Sequence, residues 1–310
     1  MVQSAAKQLL QNNPGRTKLF TQQKFIKKSE SVFLNPNYQT AFEKMGLTEI
    51  EQYFSFNAAK NLAKKNLASF RSRVQFEVSS PAFPETKILF MKRYDHPPIS
   101  VQIQNWFTAH SRKSCGEIEF EAAQKLNQAG INTPTIAAYG TQWGKIFEKC
   151  SFIVTEKIPD AEALERNLPV YFQGQPYTIN LKLRRNFIAK LADFINKFHQ
   201  TNYRHRDLYL SHIFYSDIGG FYLIDLARAF KPIFLKKRFQ LKDLAQLYYS
   251  APGRYFTNSD RLRFYIKYTG WKKLTNEDKI FIRSVIKKTG KMAEHDKKYG
   301  RLPPFENGAK

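Results

Sequence analysis

Two cysteines, Cys115 and Cys150, are all that the 310 residues contain. Two thiols cannot build a disulfide framework or a four-cysteine zinc site, so the chain reads as a protein of a reducing, cytosolic compartment. No run of about 18 apolar residues occurs, which excludes a transmembrane helix. The stretch from Met1 to Arg16 is polar and lacks a secretory signal's apolar region, and Val2 stands where a myristoylation signal needs glycine. Any work at a membrane is therefore expected from its surface. Acidic residues are scarce: 26 Asp and Glu against 50 Lys and Arg, a formal net charge of +24. That imbalance implies an anionic partner: nucleic acid, an acidic membrane surface or a heavily phosphorylated substrate. What the chain does have is apolar residues at 42% and aromatics at 15%, enough for a folded core and too much for wholesale disorder.

Residues 1–54 read as an extension, with a short helix near Ala41–Phe54. Strand character begins after Leu67. Val74, Phe76 and Val78 alternate within Ser69–Ser79, Pro81–Pro84 turns the chain, and Thr86–Tyr94 forms a second strand that ends at Pro97-Pro98. Residues 116–129 read as a helix with Ile118, Ala122, Leu126 and Ala129 on one face, stopped by Gly130. Ser151–Glu156 is a buried-strand candidate. Leu183–His199 is the clearest helix, striped by Phe187, Ile188, Leu191, Phe194, Ile195 and Phe198. Phe221–Leu226 is a short apolar strand, and from about Leu241 the chain is helical and basic. This order predicts an α+β fold with a small sheet lobe followed by a larger helical lobe.

The chemistry centres on His205-Arg206-Asp207, directly after the long helix, and on Asp225, 18 residues later at the end of an apolar strand. Phosphoryl transfer needs one carboxylate near the attacking hydroxyl and another to hold Mg²⁺ on nucleotide phosphates; Asp207 and Asp225 suit those jobs in that order. The bland alternative is a pair of loop carboxylates neutralised by Arg or Lys. Lys92 ends the strand Ile88–Met91, where a lysine can reach phosphates if a helix glutamate holds it. Glu117, Glu119 and Glu121 all offer themselves. At about 100° per residue, Glu119 lies about 65° from the centre of the apolar stripe, Glu121 about 95° and Glu117 about 135°, so Glu119 is the expected partner.

Three stretches together resemble the bacterial lipopolysaccharide core heptose kinases, a family of the protein-kinase-like superfamily. They are His205-Arg206-Asp207-Leu208-Tyr209-Leu210-Ser211-His212-Ile213-Phe214, then Leu223-Ile224-Asp225-Leu226-Ala227-Arg228-Ala229, then Lys242-Asp243-Leu244-Ala245-Gln246-Leu247-Tyr248-Tyr249-Ser250. Glu119-Phe120, Gly130-Ile131-Asn132-Thr133-Pro134 and the tail His295–Arg301 fit the same family, so the resemblance spans about residues 66–305. It implies a two-lobed protein-kinase-like fold: an extension (1–54), an N-lobe (55–156) and a C-lobe (157–310). It implies ATP and Mg²⁺, with Asp207, beside Arg206 and His205, as the catalytic base or hydroxyl-orienting group. Asp225 would bind Mg²⁺, Lys92 and Glu119 would hold phosphates, Glu156 and its neighbours would contact adenine at the hinge, and Asp243 would buttress the catalytic loop.

Departures from ordinary protein kinases are specific. His212 stands where the catalytic-loop asparagine is expected; it could ligate metal, contact phosphate or pack. Asp225 is followed by Leu226-Ala227 rather than Phe-Gly, and no Ala-Pro-Glu closes the following segment, so phosphorylation control is not expected. No glycine-rich loop precedes Lys92; Arg71, Ser72 and Arg73 are there instead, and their guanidinium groups could cover phosphates.

The surplus charge has a place in this reading. Residues 261–310 hold 14 Lys or Arg and 5 Asp or Glu, and Lys236, Lys237 and Arg238 cluster shortly after Asp225. Such a basic rim is expected to bind the lipopolysaccharide core, a phosphorylated, lipid-anchored acceptor, from the cytoplasmic face of the inner membrane. The rival is nucleic acid, for which Phe264, Tyr265, Tyr268 and Trp271 interleave with basic residues. Their helical spacing assigns them to a core instead, and no RNA-binding motif accompanies them. Two further readings differ in class: an inactive kinase-like scaffold binding anionic glycolipid or RNA, and a small-molecule kinase of the aminoglycoside or choline type.

Overall fold

The hairpin read from Val74, Phe76 and Val78 lies toward one edge of a larger sheet. The computed structural model describes residues 24–57, 60–62, 68–172, 177–271 and 273–306. In it β1 (Ile26–Lys27), β2 (Val32–Leu34), β3 (Lys60–Asn61), β4 (Arg71–Val78), β5 (Lys87–Asp95), β6 (Ile136–Trp143) and β7 (Glu148–Glu156) pair antiparallel in the order β1-β2-β6-β7-β5-β4-β3. Register sets Arg73 opposite Lys92 on β4 and β5, and Lys92 opposite Ile153 on β7. Side chains alternate across a strand. Leu89 and Met91 therefore enter the buried core with Val74, Phe76 and Val154, while Lys92 shares the opposite face with Tyr94.

The described part of the stretch read as an extension belongs to this core. Helices α1 (Gln39–Lys44) and α2 (Ile50–Ser55) bury Phe42 and Tyr53, and the Tyr53 ring stacks on Phe152 at 3.8 Å. The apolar positions Val32, Leu34, Tyr38 and Phe42 are all buried, but the polar composition around them hides the pattern. A helix the sequence reading does not contain, α3 (Ile99–Ala109), begins just after Pro97-Pro98. The proline pair ends the strand and also opens this helix: Pro98 is its N-cap, and the Pro98 carbonyl accepts from the Gln102 amide at 3.1 Å.

Helix α4 (Cys115–Gln128) packs on β5, β6 and β7 and turns off at Gly130, whose φ of +78° suits glycine. Gly116 is the point of close approach: a Cβ there would lie 3.0 Å from the Phe152 carbonyl oxygen. These elements form one compact unit, the described residues from 24 to 159 together with Asp225–Phe230.

The second unit holds Asp160–Ile224 and the chain from Lys231 onward. It contains β8 (Ala161–Ala163), α5 (Leu164–Phe172), α6 (Tyr177–Gln200), β9 (Ile213–Ser216), β10 (Gly220–Leu223), α7 (Lys236–Ser250), α8 (Asn258–Thr269) and α9 (Asn276–Lys298). The small sheet runs β10-β9-β8, α6 packs on α8, and α7 packs on α9. Phe187, Ile188, Leu191, Ile195 and Phe198 of the expected stripe are buried. The aromatic stripe of α8 is a partial match. Tyr268 is buried, but Trp271 is 56% exposed, because the helix ends at Thr269 and Gly270 takes a left-handed cap that resets the phase. Trp271 is therefore not a core residue. Both cysteines are free and buried, and burial pushes the Cys150 thiol up to about 12. The fold class is the one expected, α+β with a sheet unit followed by a helical unit.

Candidate active site

In the sheet unit the lysine, the glutamate and the second aspartate meet. Lys92 Nζ donates to Glu119 Oε1 at 2.5 Å and to Asp225 Oδ1 at 3.0 Å. The other two glutamates are engaged elsewhere. Glu117 accepts from the Ser114 amide at 2.8 Å in a capping box, and Glu121 pairs with Lys113 and Lys125. Burial disfavours the Lys92 ammonium, but the carboxylates of Asp225 and Glu119 outweigh it, and the pKa is raised above its ordinary value.

Each partner is itself held. Tyr94 donates to Glu119 Oε2 at 3.1 Å, and Arg73 Nη2 donates to Asp225 Oδ2 at 3.1 Å. The strand expected to run to Leu226 stops at Leu223. Asp225 instead sits in the left-handed region (φ 57°), ahead of the short turn Leu226–Arg228 that packs on α4. Strain of this kind on a non-glycine residue is characteristic of functional positions.

Two supporting contacts escaped the sequence reading. Arg73 is expected from the sequence to cover phosphates, but its bond to Asp225 is not. Glu148, on β7, is buried and accepts from the Cys115 amide at 2.9 Å, while Ser151, which donates to Glu148 at 2.6 Å, accepts from the Gly116 amide at 2.9 Å. Together they cap the helix that carries Glu119, satisfying amides that would otherwise be orphaned. Burial raises the Glu148 pKa despite those bonds. Glu156, on the last residue of β7, commits its side chain to Tyr38 at 2.8 Å and Lys87 at 2.9 Å. Any adenine contact there falls to the main chain of the segment.

The helical unit carries His205, Arg206 and Asp207. Arg206 takes φ 68°, and the amides of His205 and Arg206 donate to the two oxygens of buried Asp243 at 2.8 and 2.7 Å. Gln246 accepts from the Leu208 amide at 3.1 Å and donates to the Arg206 carbonyl at 2.8 Å, and Ser250 accepts from the Leu210 amide at 3.0 Å. Asp243, Gln246 and Ser250 stand at i, i+3 and i+7, one face of α7. That polar spacing, interleaved with Leu244 and Leu247, was the available signal for Gln246 and Ser250.

Two histidines hold the loop's main chain. His212 Nδ1 donates to the Asp207 carbonyl at 2.7 Å, and His205 Nε2 donates to the carbonyl of Ile224, the residue before Asp225, at 3.0 Å. The two rings stack with centroids 5.8 Å apart. Asp207 is thus placed by its own backbone. Lys236, Lys237 and Arg238 occupy the exposed first turn of α7, and none of the three forms an ion pair among the described residues.

Beneath the loop, His199 Nε2 donates to Asp243 at 3.3 Å while Nδ1 accepts from the Tyr268 hydroxyl at 2.8 Å. Asp243 already receives two amides, so burial prevails over its attraction and the His199 pKa is lowered from 6.5. Folded His199 stays neutral where the unfolded imidazole takes a proton, at and below about pH 6.5. The unfolded state then binds more protons, and stability falls as pH drops through that value, by up to about 1.4 kcal/mol per pH unit. Denaturant titrations at about pH 7.5 and about pH 5.5 should show this loss, and His199→Gln should flatten it. An unchanged difference in the variant assigns the pH dependence elsewhere.

Comparison with known proteins places the chain. The family model described as lipopolysaccharide kinase (Kdo/WaaP) family matches residues 105–268, more than half of its length. The chain belongs to this family. It is therefore a kinase, a phosphotransferase that draws on ATP. A lipopolysaccharide core heptose(I) kinase WaaP of Pseudomonas aeruginosa is 29% identical over 193 residues, covering 59% of this chain and 71% of that protein. The protein of the same name from Escherichia coli is 25% identical over 207 residues, covering 64% and 75%. A solved structure titled "WaaP in complex with acyl carrier protein" superposes with a TM-score of 0.63 at 23% identity, covering 84% of this chain and 98% of that one. The likeness establishes the protein-kinase-like fold. No helix among the described residues is long and apolar enough to cross a membrane.

Proposed function

We propose that the chain transfers the γ-phosphoryl group of ATP to a sugar hydroxyl, that of a heptose, of the lipopolysaccharide inner core. The observation that carries the proposal is Lys92, whose ammonium joins Glu119 and Asp225, residues 27 and 133 positions away. In this reading Lys92, fixed by Glu119, and Arg73 hold nucleotide phosphates as cations, in place of a glycine-rich loop. The main chain at Glu156 and beyond contacts adenine. Asp207, with its carbonyl fixed by His212 and the neighbouring amides by Asp243, accepts the proton of the attacking hydroxyl. As that oxygen bonds to phosphorus, the bond to the β-phosphate oxygen breaks and ADP leaves.

The donor set fits one hard divalent cation carried with the nucleotide. Asp225 offers a partly exposed carboxylate, and the described residues contain no group of three or more His, Cys, Asp or Glu that would cage a metal. Mg²⁺ accepts one protein carboxylate and completes its shell with water and phosphate oxygens. When bound it neutralises charge on the phosphates. Asp225 is the proposed ligand. His212 acts first on the Asp207 main chain, and a metal or phosphate contact would run through its Nε2.

The rim of Lys236, Lys237 and Arg238 is assigned to the anionic acceptor, reached at the cytoplasmic surface of the inner membrane. The test is phosphoryl transfer from ATP to purified core lipopolysaccharide, with choline and aminoglycosides as rival acceptors. No turnover on the core with turnover on a rival overturns the assignment; no turnover on any supports the inactive scaffold. Replacing all three rim residues with Gln should raise the acceptor KM severalfold and flatten its salt dependence, with ATP KM unchanged, since screening acts over roughly 8 Å at physiological ionic strength. Loss of RNA affinity with core phosphorylation intact would move the rim to nucleic acid.

A further inference from the structure

The charged rim is preceded by an apolar tip. Ile233, Phe234 and Leu235 are 57%, 81% and 60% exposed, three large apolar side chains in succession between buried Pro232 and the first turn of α7. Single exposed apolar residues are ordinary; a consecutive triplet at a loop tip is not. Leu235 also adopts the left-handed conformation (φ 56°), which glycine takes more easily, so the chain holds a strained backbone while keeping leucine exposed there. Residues 231–242 carry five Lys or Arg and no Asp or Glu. The first helical turn contains no acid to offset its three cations or the positive end of the helix. Apolar residues meeting a cationic collar match a bilayer whose surface is anionic and whose interior is hydrocarbon.

We propose that Ile233, Phe234 and Leu235 form a wedge that enters the acyl boundary of an anionic bilayer, with the positive charge of the adjoining acceptor rim, Lys236, Lys237 and Arg238, drawing it to that surface. The wedge would hold the helical unit on the membrane that carries the acceptor, so its purpose rests on the kinase reading above, but its binding to lipid does not. Lys231 keeps its ammonium over the Tyr203 ring at 5.0 Å, which anchors the near side of the loop. A protein anchored this way binds weakly and reversibly, as a surface-tethered enzyme acting on many acceptors requires.

Phe234→Cys provides a direct probe, because both native thiols are buried and resist labelling. A polarity-sensitive dye at position 234 should shift to the blue on vesicles containing phosphatidylglycerol, less so as salt rises, and hardly at all on phosphatidylcholine alone. Ile233→Ser, Phe234→Ser and Leu235→Ser combined should weaken binding to the anionic vesicles about tenfold or more. The same variant should phosphorylate delipidated core oligosaccharide at the wild-type rate and melt at the wild-type temperature. A dye that stays in water on vesicles the chain has bound overturns the wedge, as does a serine variant that binds like wild type or a chain that binds no anionic vesicle. If the oligosaccharide is never phosphorylated but vesicle binding still depends on the triplet, the kinase reading falls and the wedge stands.

Discussion

Asp225→Asn is expected to lower turnover at saturating ATP by roughly 10²–10³-fold or more while the chain still folds. The variant keeps the shape of the side chain, and Asn accepts the left-handed backbone (φ 57°) as readily as Asp. What it loses is charge. A neutral amide is a poor ligand for a hard divalent cation, and it no longer balances the Lys92 and Arg73 cations. Burial already works against the Lys92 ammonium, so removing the larger of its two favourable charges lowers the pKa of that group from its raised value. Glu119 remains at 2.5 Å, so Lys92 keeps one anchor and the strand keeps its place. Both pairs involving Asp225 are partly exposed, and such pairs add little to stability. The melting temperature should therefore move by no more than about 2 °C, the equivalent of ~1 kcal/mol for a chain of this size. Single-turnover and steady-state assays with core lipopolysaccharide, beside a thermal melt, make the comparison. Near-normal turnover removes Asp225 from the metal role; a collapsed melt shows that it is instead a structural ion pair.

The parts of this site that could be read ahead of the structure are those fixed by local geometry. Alternation at Val74, Phe76 and Val78 marked β4, and a rotation of about 100° per residue separated Glu119 from Glu117 and Glu121. Both arguments need only neighbours in the chain. The Arg73–Asp225 bond joins residues 152 positions apart, and no periodicity on either segment encodes it. Glu148 is similar: an acidic residue at a strand start looks solvated, and only the packing of α4 on β7 makes it a buried helix cap. Helix α3 was hidden because Pro97-Pro98 reads equally as an end and a beginning. Trp271 was misplaced because a helical stripe was extended through Gly270, one residue past the helix, where the left-handed cap breaks the phase. In each case the error lies where a tertiary contact or a cap, rather than a repeat, decides the position.

Asp243 carries the second large expectation, because it joins stability to catalysis. Its two oxygens take the amides of His205 and Arg206, at 2.8 and 2.7 Å, and His199 adds a third donor. Asp243→Asn replaces one acceptor oxygen with an NH₂ group that must face a donor, in a position with no exposure to water. A lost bond to a charged acceptor costs about 1.5–3 kcal/mol, and a buried donor left unmatched adds about 1–3 kcal/mol. A loss of about 3–4 kcal/mol should lower the melting temperature by roughly 5–6 °C. The amides it holds belong to the residues just before Asp207, and Arg206 keeps its left-handed backbone (φ 68°) only while it is held. In the proposed mechanism, loosening that support lets Asp207 sample orientations in which its carboxylate misses the attacking hydroxyl. The kcat should then fall by about tenfold or more at a temperature where the variant is still folded, with the KM for ATP nearly unchanged. Asp243→Ala, which leaves all three donors unmatched, should be worse in both measures. A variant with a lowered melting temperature and wild-type kcat would make Asp243 a packing residue only. Wild-type values of both would mean that Gln246 and Ser250 hold the loop without it.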